Sequence, residues 1–124
     1  MKIYLTHSTN FNFDKDLYEP LRKSSLFTEH TVILPHEKAN FTHSRESIES
    51  SSVVIAEVSH PSIGEGIELG WANKSNIPII CVYKEGKKIS PALRTVSNVF
   101  LQYKTVEDMI DKVTTALTAI RNGL

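Results

Sequence analysis

The stretch VVIAEVSHPSIGEGIELGWANKSNIPIICVY, residues 53–83, decides how this chain folds. It opens with VVIAEV (53–58), a continuous apolar and β-branched run of the kind a strand shows when both faces of its sheet are covered. SHPSIG then makes a turn, and residues 64–75 read as a helix. IPIICVY (77–83) is the next buried strand. A strand, a helix and a second strand in this order form one unit of a parallel sheet.

The same alternation extends in both directions. Upstream, KIYLT (2–6) reads as a strand and HSTNFNF as a polar turn. DKDLYEPLRKSS places Leu17 and Leu21 at i and i+4 behind leading acids, which predicts a helix made irregular by Pro20. TVILP (31–35) is a second strand, and the polar HEKANFTHSRESIESS carries a helix over its second half. Downstream, KEGKK is a charged loop tip. SPALRTV is a short helix with Ser90 as N-cap and Pro91 at the first helical position. VFLQY (99–103) is the last strand. TVEDMIDKVTTALTAI (105–120) is an amphipathic helix with Val106, Met109, Ile110, Val113 and Leu117 on one stripe.

Strand and helix thus alternate about five times, which predicts an α/β fold: a flavodoxin-like, doubly wound, five-stranded parallel sheet of order 2-1-3-4-5, with helices on both faces. One domain over residues 1–124 is expected. Ligands in such folds bind beyond the carboxyl ends of the strands, near the switch between strands 1 and 3. THSTNF and SHPSIGEG would lie there.

Composition sets further bounds. The chain has 124 residues, 40% of them apolar, enough for one core. Fourteen basic residues balance fourteen acidic ones, which argues against nucleic acid or an anionic membrane as the main partner. The lone Cys81, inside a strand, has no partner for a disulfide and no metal-ligand spacing around it, and reads as a buried, inert thiol. MKIYLTHSTN lacks the apolar core and cleavage site of a signal peptide, and no apolar run approaches spanning length. A cytoplasmic protein without a cofactor or metal is the expectation.

Within the decisive stretch, Gly64, Gly66 and Gly70 surround one carboxylate, Glu68. Each interior glycine weakens a helix by about 1 kcal/mol relative to alanine. A helix N-terminus offers unpaired N–H donors and partial positive charge, and glycine lets a ligand approach that backbone. Glu68, about one turn further in, suits a nucleophile better than an acid if it stays ionised. On spacing alone, an exposed glutamate that merely complements the helix dipole, with glycines permitting close helix–sheet packing, is the favoured account of the pattern.

VVIAEVSHPSIGEGIELGWA resembles the signature of the nucleoside 2-deoxyribosyltransferase family, and is most similar to the branch that hydrolyses the N-glycosidic bond of 2′-deoxynucleoside 5′-monophosphates. The resemblance is densest over residues 53–72 and extends more thinly to KIYL, PIICVY and ISPALR. It implies that Glu68 is the nucleophile that forms a covalent glycosyl-enzyme intermediate, with retention of configuration. It implies that Tyr4 positions the nucleophile or the sugar, and that Ser62, Gly64 and the adjoining Gly66 contact phosphate. Ser90 matches a serine that reaches the phosphate site of a neighbouring subunit, which implies a homodimer with shared sites.

Two departures accompany the match. The family carries an acid on the helix before strand 3, and Ser44 stands there, with His43 and Glu46 as nearby substitutes. After strand 1 the family has a glycine-containing turn, and the hydrolase branch an arginine. Here His7 replaces the glycine and Asn10 falls near the arginine position, leaving Ser8, Thr9 and Asn10 as hydrogen-bond donors. His60 is a further crevice residue. A phospho-receiver reading of Glu57 and Lys104 fails for want of paired acids after strand 1, and a flavin site for want of a phosphate loop and facing aromatics. Two expectations stand: an N-glycosidase or base-exchanging transferase acting on a nucleotide or nucleoside, and a nucleotide-binding module impaired in catalysis by Ser44.

Overall fold

The computed structural model of the chain describes residues 1–37 and 44–123. Five parallel strands, β1 (Lys2–His7), β2 (Thr31–Ile33), β3 (Val53–Glu57), β4 (Ile79–Lys84) and β5 (Val99–Tyr103), form one sheet in the order β2-β1-β3-β4-β5. This is the predicted doubly wound arrangement. β1 and β3 run side by side, Tyr4 against Val54 and Thr6 against Ala56, so the turns after both strands open at the same sheet end.

Alternation along the strands feeds two cores. Ile3, Leu5, Ile55, Ile80 and Val82 face one layer with Leu17, Leu21, Met109, Val113 and Leu117. Tyr4, Val54, Ala56 and Cys81 face the other with Ile48, Leu69 and Ala72. The first layer is covered by α1 (Glu19–Arg22), α2 (Ser25–Glu29) and the predicted amphipathic helix, α5 (Val106–Arg121). The second is covered by α3 (Ser44–Glu49) and α4 (Ile63–Lys74). Thr105 caps α5 by accepting from the Asp108 amide.

The first helical segment is more broken than expected. A π-helical turn, Asp14–Tyr18, precedes α1, and the Glu19 amide reaches back to the Asp14 carbonyl. Pro20 has no N–H and its ring crowds the preceding turn, and a widened turn relieves both problems. The helix after β3 ends at Ser75, where Asn76 takes φ 58° and the Ile77 amide bonds the Ala72 carbonyl at 2.9 Å. That left-handed stop turns the chain into β4. Pro91–Thr95 forms the short helix expected after β4, a 3₁₀ turn capped by Ser90. Among the described residues no helix is long and apolar enough to cross a membrane.

Candidate active site

Glu68 is held where β1 ends. Tyr4 and Thr6, two residues apart, share one face of β1 and both point at α4. The Tyr4 hydroxyl donates to Glu68 Oε2, and the Thr6 hydroxyl donates to Glu68 Oε1 at 3.1 Å. Two hydroxyl donors, one on each oxygen, fix the orientation of the carboxylate. Burial, and then the bond to Glu68, push the Tyr4 phenol far above its ordinary range, so it remains a donor. The Tyr4 oxygen accepts in turn from the Ser44 hydroxyl. Ser44 thus enters the site through Tyr4, as part of the hydrogen-bond chain Ser44–Tyr4–Glu68.

The carboxylate opens onto a cavity of 580 Å³ lined by His7, Thr9, His36, Ser44, Arg45, Glu46, Ser62, Gly64, Glu65, Ile67, Glu68 and Trp71. At its far end is the start of α4. Ser62 is the N-cap, accepting from the Glu65 amide at 3.3 Å. The next amides, at Ile63 and Gly64, have no acceptor inside the helix. A β-carbon on Gly64 would come no closer than 4.0 Å to any neighbour, and one on Gly66 or Gly70 would meet nothing within 4 Å. Close packing within the chain therefore does not require these glycines. Gly64 leaves the α4 backbone open to this cavity.

A second cavity, of 540 Å³, adjoins the first and shares Ser62 and Glu65 with it. Gly66, Gly70, Lys88, Ser90, Leu93 and Val96 line it. Ser90, whose hydroxyl accepts from the Ala92 amide at 3.3 Å, is thus kept out of the Glu68 cavity of its own chain. Ile63, on the wall of this cavity, is 87% exposed, and Ile67, on the wall of the first, is 51% exposed.

The turn after β1 is organised by His7, which sequence reading left as polar turn. It is the last residue of β1 and is buried. Its Nδ1–H donates to the Ser8 carbonyl at 2.8 Å, and its Nε2 accepts from the Tyr18 hydroxyl at 2.6 Å. Both ring nitrogens are committed, and burial lowers its pKa to about 4, so His7 is neutral and no acid at ordinary pH. Phe13 and His36 pack against its ring, and Phe11 stacks on His60 at 4.9 Å between centroids. Ser8 is buried, its hydroxyl accepting from the Asn10 amide at 3.0 Å, and Asn10 is exposed. The residue of this turn that lines the Glu68 cavity is Thr9. Arg45, on α3, is an arginine on the same cavity wall, ion-paired with Glu49 at 2.9 Å. His43 lies outside the described residues. Cys81 is buried, and burial pushes its thiol up to about 11, as an inert strand cysteine requires.

Thr6, His36, Trp71 and Glu65 are site residues that sequence reading missed. Thr6 was signalled by strand alternation, two positions from Tyr4. His36 carried no local signal, because the turn after β2 reaches the site only through the sheet order.

The arrangement is that of the deoxyribosyltransferase fold. Over nearly its full length the chain superposes on the CMP N-glycosidase of Clostridium botulinum, with a TM-score of 0.67, 24% identity, and 92% of this chain and 99% of that one covered. It superposes on the 2-deoxyribosyltransferase of Bacillus psychrosaccharolyticus with a TM-score of 0.63 at 18% identity, over 83% of this chain and 87% of that one. In sequence it is similar to nucleotide N-hydrolases. It is 36% identical over 62 residues to the 5-hydroxymethyl-dUMP N-hydrolase of Tetraodon nigroviridis, 47% of this chain and 44% of that protein. It is 38% identical over 53 residues to a candidate 2′-deoxynucleoside 5′-phosphate N-hydrolase 1 of Syntrophotalea carbinolica, 43% of this chain and 37% of that protein. The matched segments thus span less than half the length of these two relatives. No family model matches the chain.

Proposed function

We propose that the chain is an N-glycosidase that cleaves the base–sugar bond of (deoxy)nucleoside 5′-monophosphates. The observation that carries this reading is Glu68, a carboxylate held by the Tyr4 and Thr6 hydroxyls at one end of a nucleotide-sized cavity, with the Ser62-capped start of α4 at the other. A 5′-phosphate placed against the Ile63 and Gly64 amides receives donors and the positive end of the helix dipole. The sugar then lies over Glu68. The carboxylate attacks C1′, the C1′–N bond breaks, and its electron pair leaves with the base. Water next attacks C1′ of the glycosyl ester and frees Glu68, so configuration is retained over the two steps. The relatives named as nucleotide N-hydrolases support this substrate class.

A homodimer with shared sites belongs to the same proposal. Ser90 lies in the adjoining cavity rather than beside its own Glu68, and the exposed Ile63 flanks it. Ser90 then serves the phosphate of the partner's site. Base exchange is the second reading, supported by the fold shared with a deoxyribosyltransferase. Incubation with a panel of nucleoside 5′-monophosphates and nucleosides, followed by chromatography of released bases, tests both. Free base from a monophosphate is expected. Release only when a second base is supplied would replace hydrolysis by transfer, and release from none would leave a binding module.

A further inference from the structure

The geometry points to Glu65 as the general acid of this site, giving its proton to the departing base. The inference rests on the glycosidase reading and adds the group that reading lacks. Glu65 and Glu68 are three residues apart on α4 and line the same cavity. Residues so spaced stand one above the other, about 5–6 Å apart at Cβ. Retaining glycosidases pair a nucleophilic carboxylate with a second carboxyl group close by. Glu65 is only 5% exposed, and its Oε2 has no hydrogen-bond partner among the described residues. A buried carboxylate left without a donor is costly, so the group keeps its proton.

The surroundings agree. Burial first, then the charges of Glu57 and Glu68, push the Glu65 carboxyl up to about 9. From β3, Glu57 is itself occupied by the Ser59 amide and hydroxyl and by the Tyr103 hydroxyl. From β4, Cys81 presents a neutral thiol. His60 and Lys88 line the adjoining cavity, and Arg45 and Glu46 of α3 line the shared one with His7 and His36. Neither Lys88 nor Arg45 pairs with Glu65 among the described residues; Arg45 is bound to Glu49. Two carboxyls on one helix thus have different environments: two hydroxyls donate to Glu68, and none donates to Glu65 Oε2 among the described residues.

The proton balance closes over both steps. As Glu68 attacks C1′ and the C1′–N bond breaks, the base nitrogen takes the proton of Glu65, leaving a neutral base, a glycosyl ester on Glu68 and a Glu65 carboxylate. Water then gives a proton to Glu65 as its oxygen bonds to C1′ and Glu68 departs as a carboxylate. Glu46, exposed on α3, is the rival donor in the cavity.

The test compares a nucleoside 5′-monophosphate with the 4-nitrophenyl glycoside of the same sugar phosphate, whose leaving group departs without protonation. Glu65→Gln should lower kcat/KM for the nucleotide by about 10²–10⁴-fold and for the nitrophenyl glycoside by less than about threefold. The wild-type alkaline limb near 9 should disappear with it, while Glu65→Asp keeps part of the activity and a limb. Circular dichroism confirms that each variant is folded. Equal losses on the two substrates, or the leaving-group signature in Glu46→Gln instead, would overturn the assignment and leave the glycosidase reading intact. A wild-type chain inert on every nucleotide, or full turnover by Glu68→Gln, would overturn that reading and this assignment together.

Discussion

Replacing Glu65 should stabilise the protein, by an amount that grows with pH. Its carboxyl shifts from an ordinary 4.5 in the unfolded chain to about 9 when buried on the core face of α4. Because the folded value is the higher one, the contribution of this group to stability is full below 4.5 and is lost progressively as pH rises toward 9. Within that window the folded state holds a proton that the unfolded chain releases, a slope of about 1.4 kcal/mol per pH unit. At pH 7 the native state is penalised by roughly 3 kcal/mol, a large part of the 5–15 kcal/mol of an ordinary domain. Glu65→Gln removes the titration while keeping shape, and Glu65→Leu removes the polar atoms as well. Urea denaturation of wild type and both variants at about pH 5.5, 6.5 and 7.5 should show the gap widening by about 1.4 kcal/mol per unit, with m unchanged. Parallel stability–pH curves would refute the claim that Glu65 is buried with its proton. A more stable variant that loses base release is what a group placed for chemistry rather than packing should produce.

Other substitutions separate the remaining parts of the site. Glu68→Gln keeps the size of the side chain, with one oxygen left to accept from Tyr4 or Thr6, and should abolish base release in a chain that still folds; chromatography of products and circular dichroism read the outcome. Tyr4→Phe and Thr6→Val each remove one hydroxyl from the Glu68 carboxylate, a charge-assisted bond of about 1.5–3 kcal/mol, so kcat/KM should fall roughly 10–100-fold in each. Ser62→Ala should reduce the preference for a 5′-monophosphate over the bare nucleoside by about tenfold, and an unaltered ratio of the two kcat/KM values would place the phosphate elsewhere. Ile63→Asp should turn a dimer into a monomer in sedimentation, while an equal mixture of Glu68→Gln and Ser90→Ala chains should recover about a quarter of wild-type activity through hybrid dimers with one intact site.

The order of strands and helices followed from the sequence by itself, because it depends on the period of apolar residues. VVIAEV and IPIICVY are short, β-branched runs bounded by turn residues, which marks covered strands, and the stripe ending at Leu117 has the period of a helix lying on one layer. Helix caps were legible for the same local reason, since Ser90 before proline needs no distant partner. Glu68 stood out because glycines around a carboxylate are expensive in a helix. The rest required the fold. Pro20 foretold an irregularity, and only the packed chain resolved it into a widened turn and two short helices. Thr6 joins Tyr4 on Glu68, Ser44 reaches the site through Tyr4, and Ser90 opens into the neighbouring cavity because strands distant in sequence are placed side by side. Glu65 marks the boundary most sharply. In the structure it lies on the buried stripe of α4 with Leu69 and Ala72, a position that sequence reading did not single out. That its Oε2 has no donor among the described residues, and that burial raises its carboxyl, depends on β3, β4 and the turns beside them, since desolvation is fixed by what surrounds a side chain and not by its neighbours along the chain.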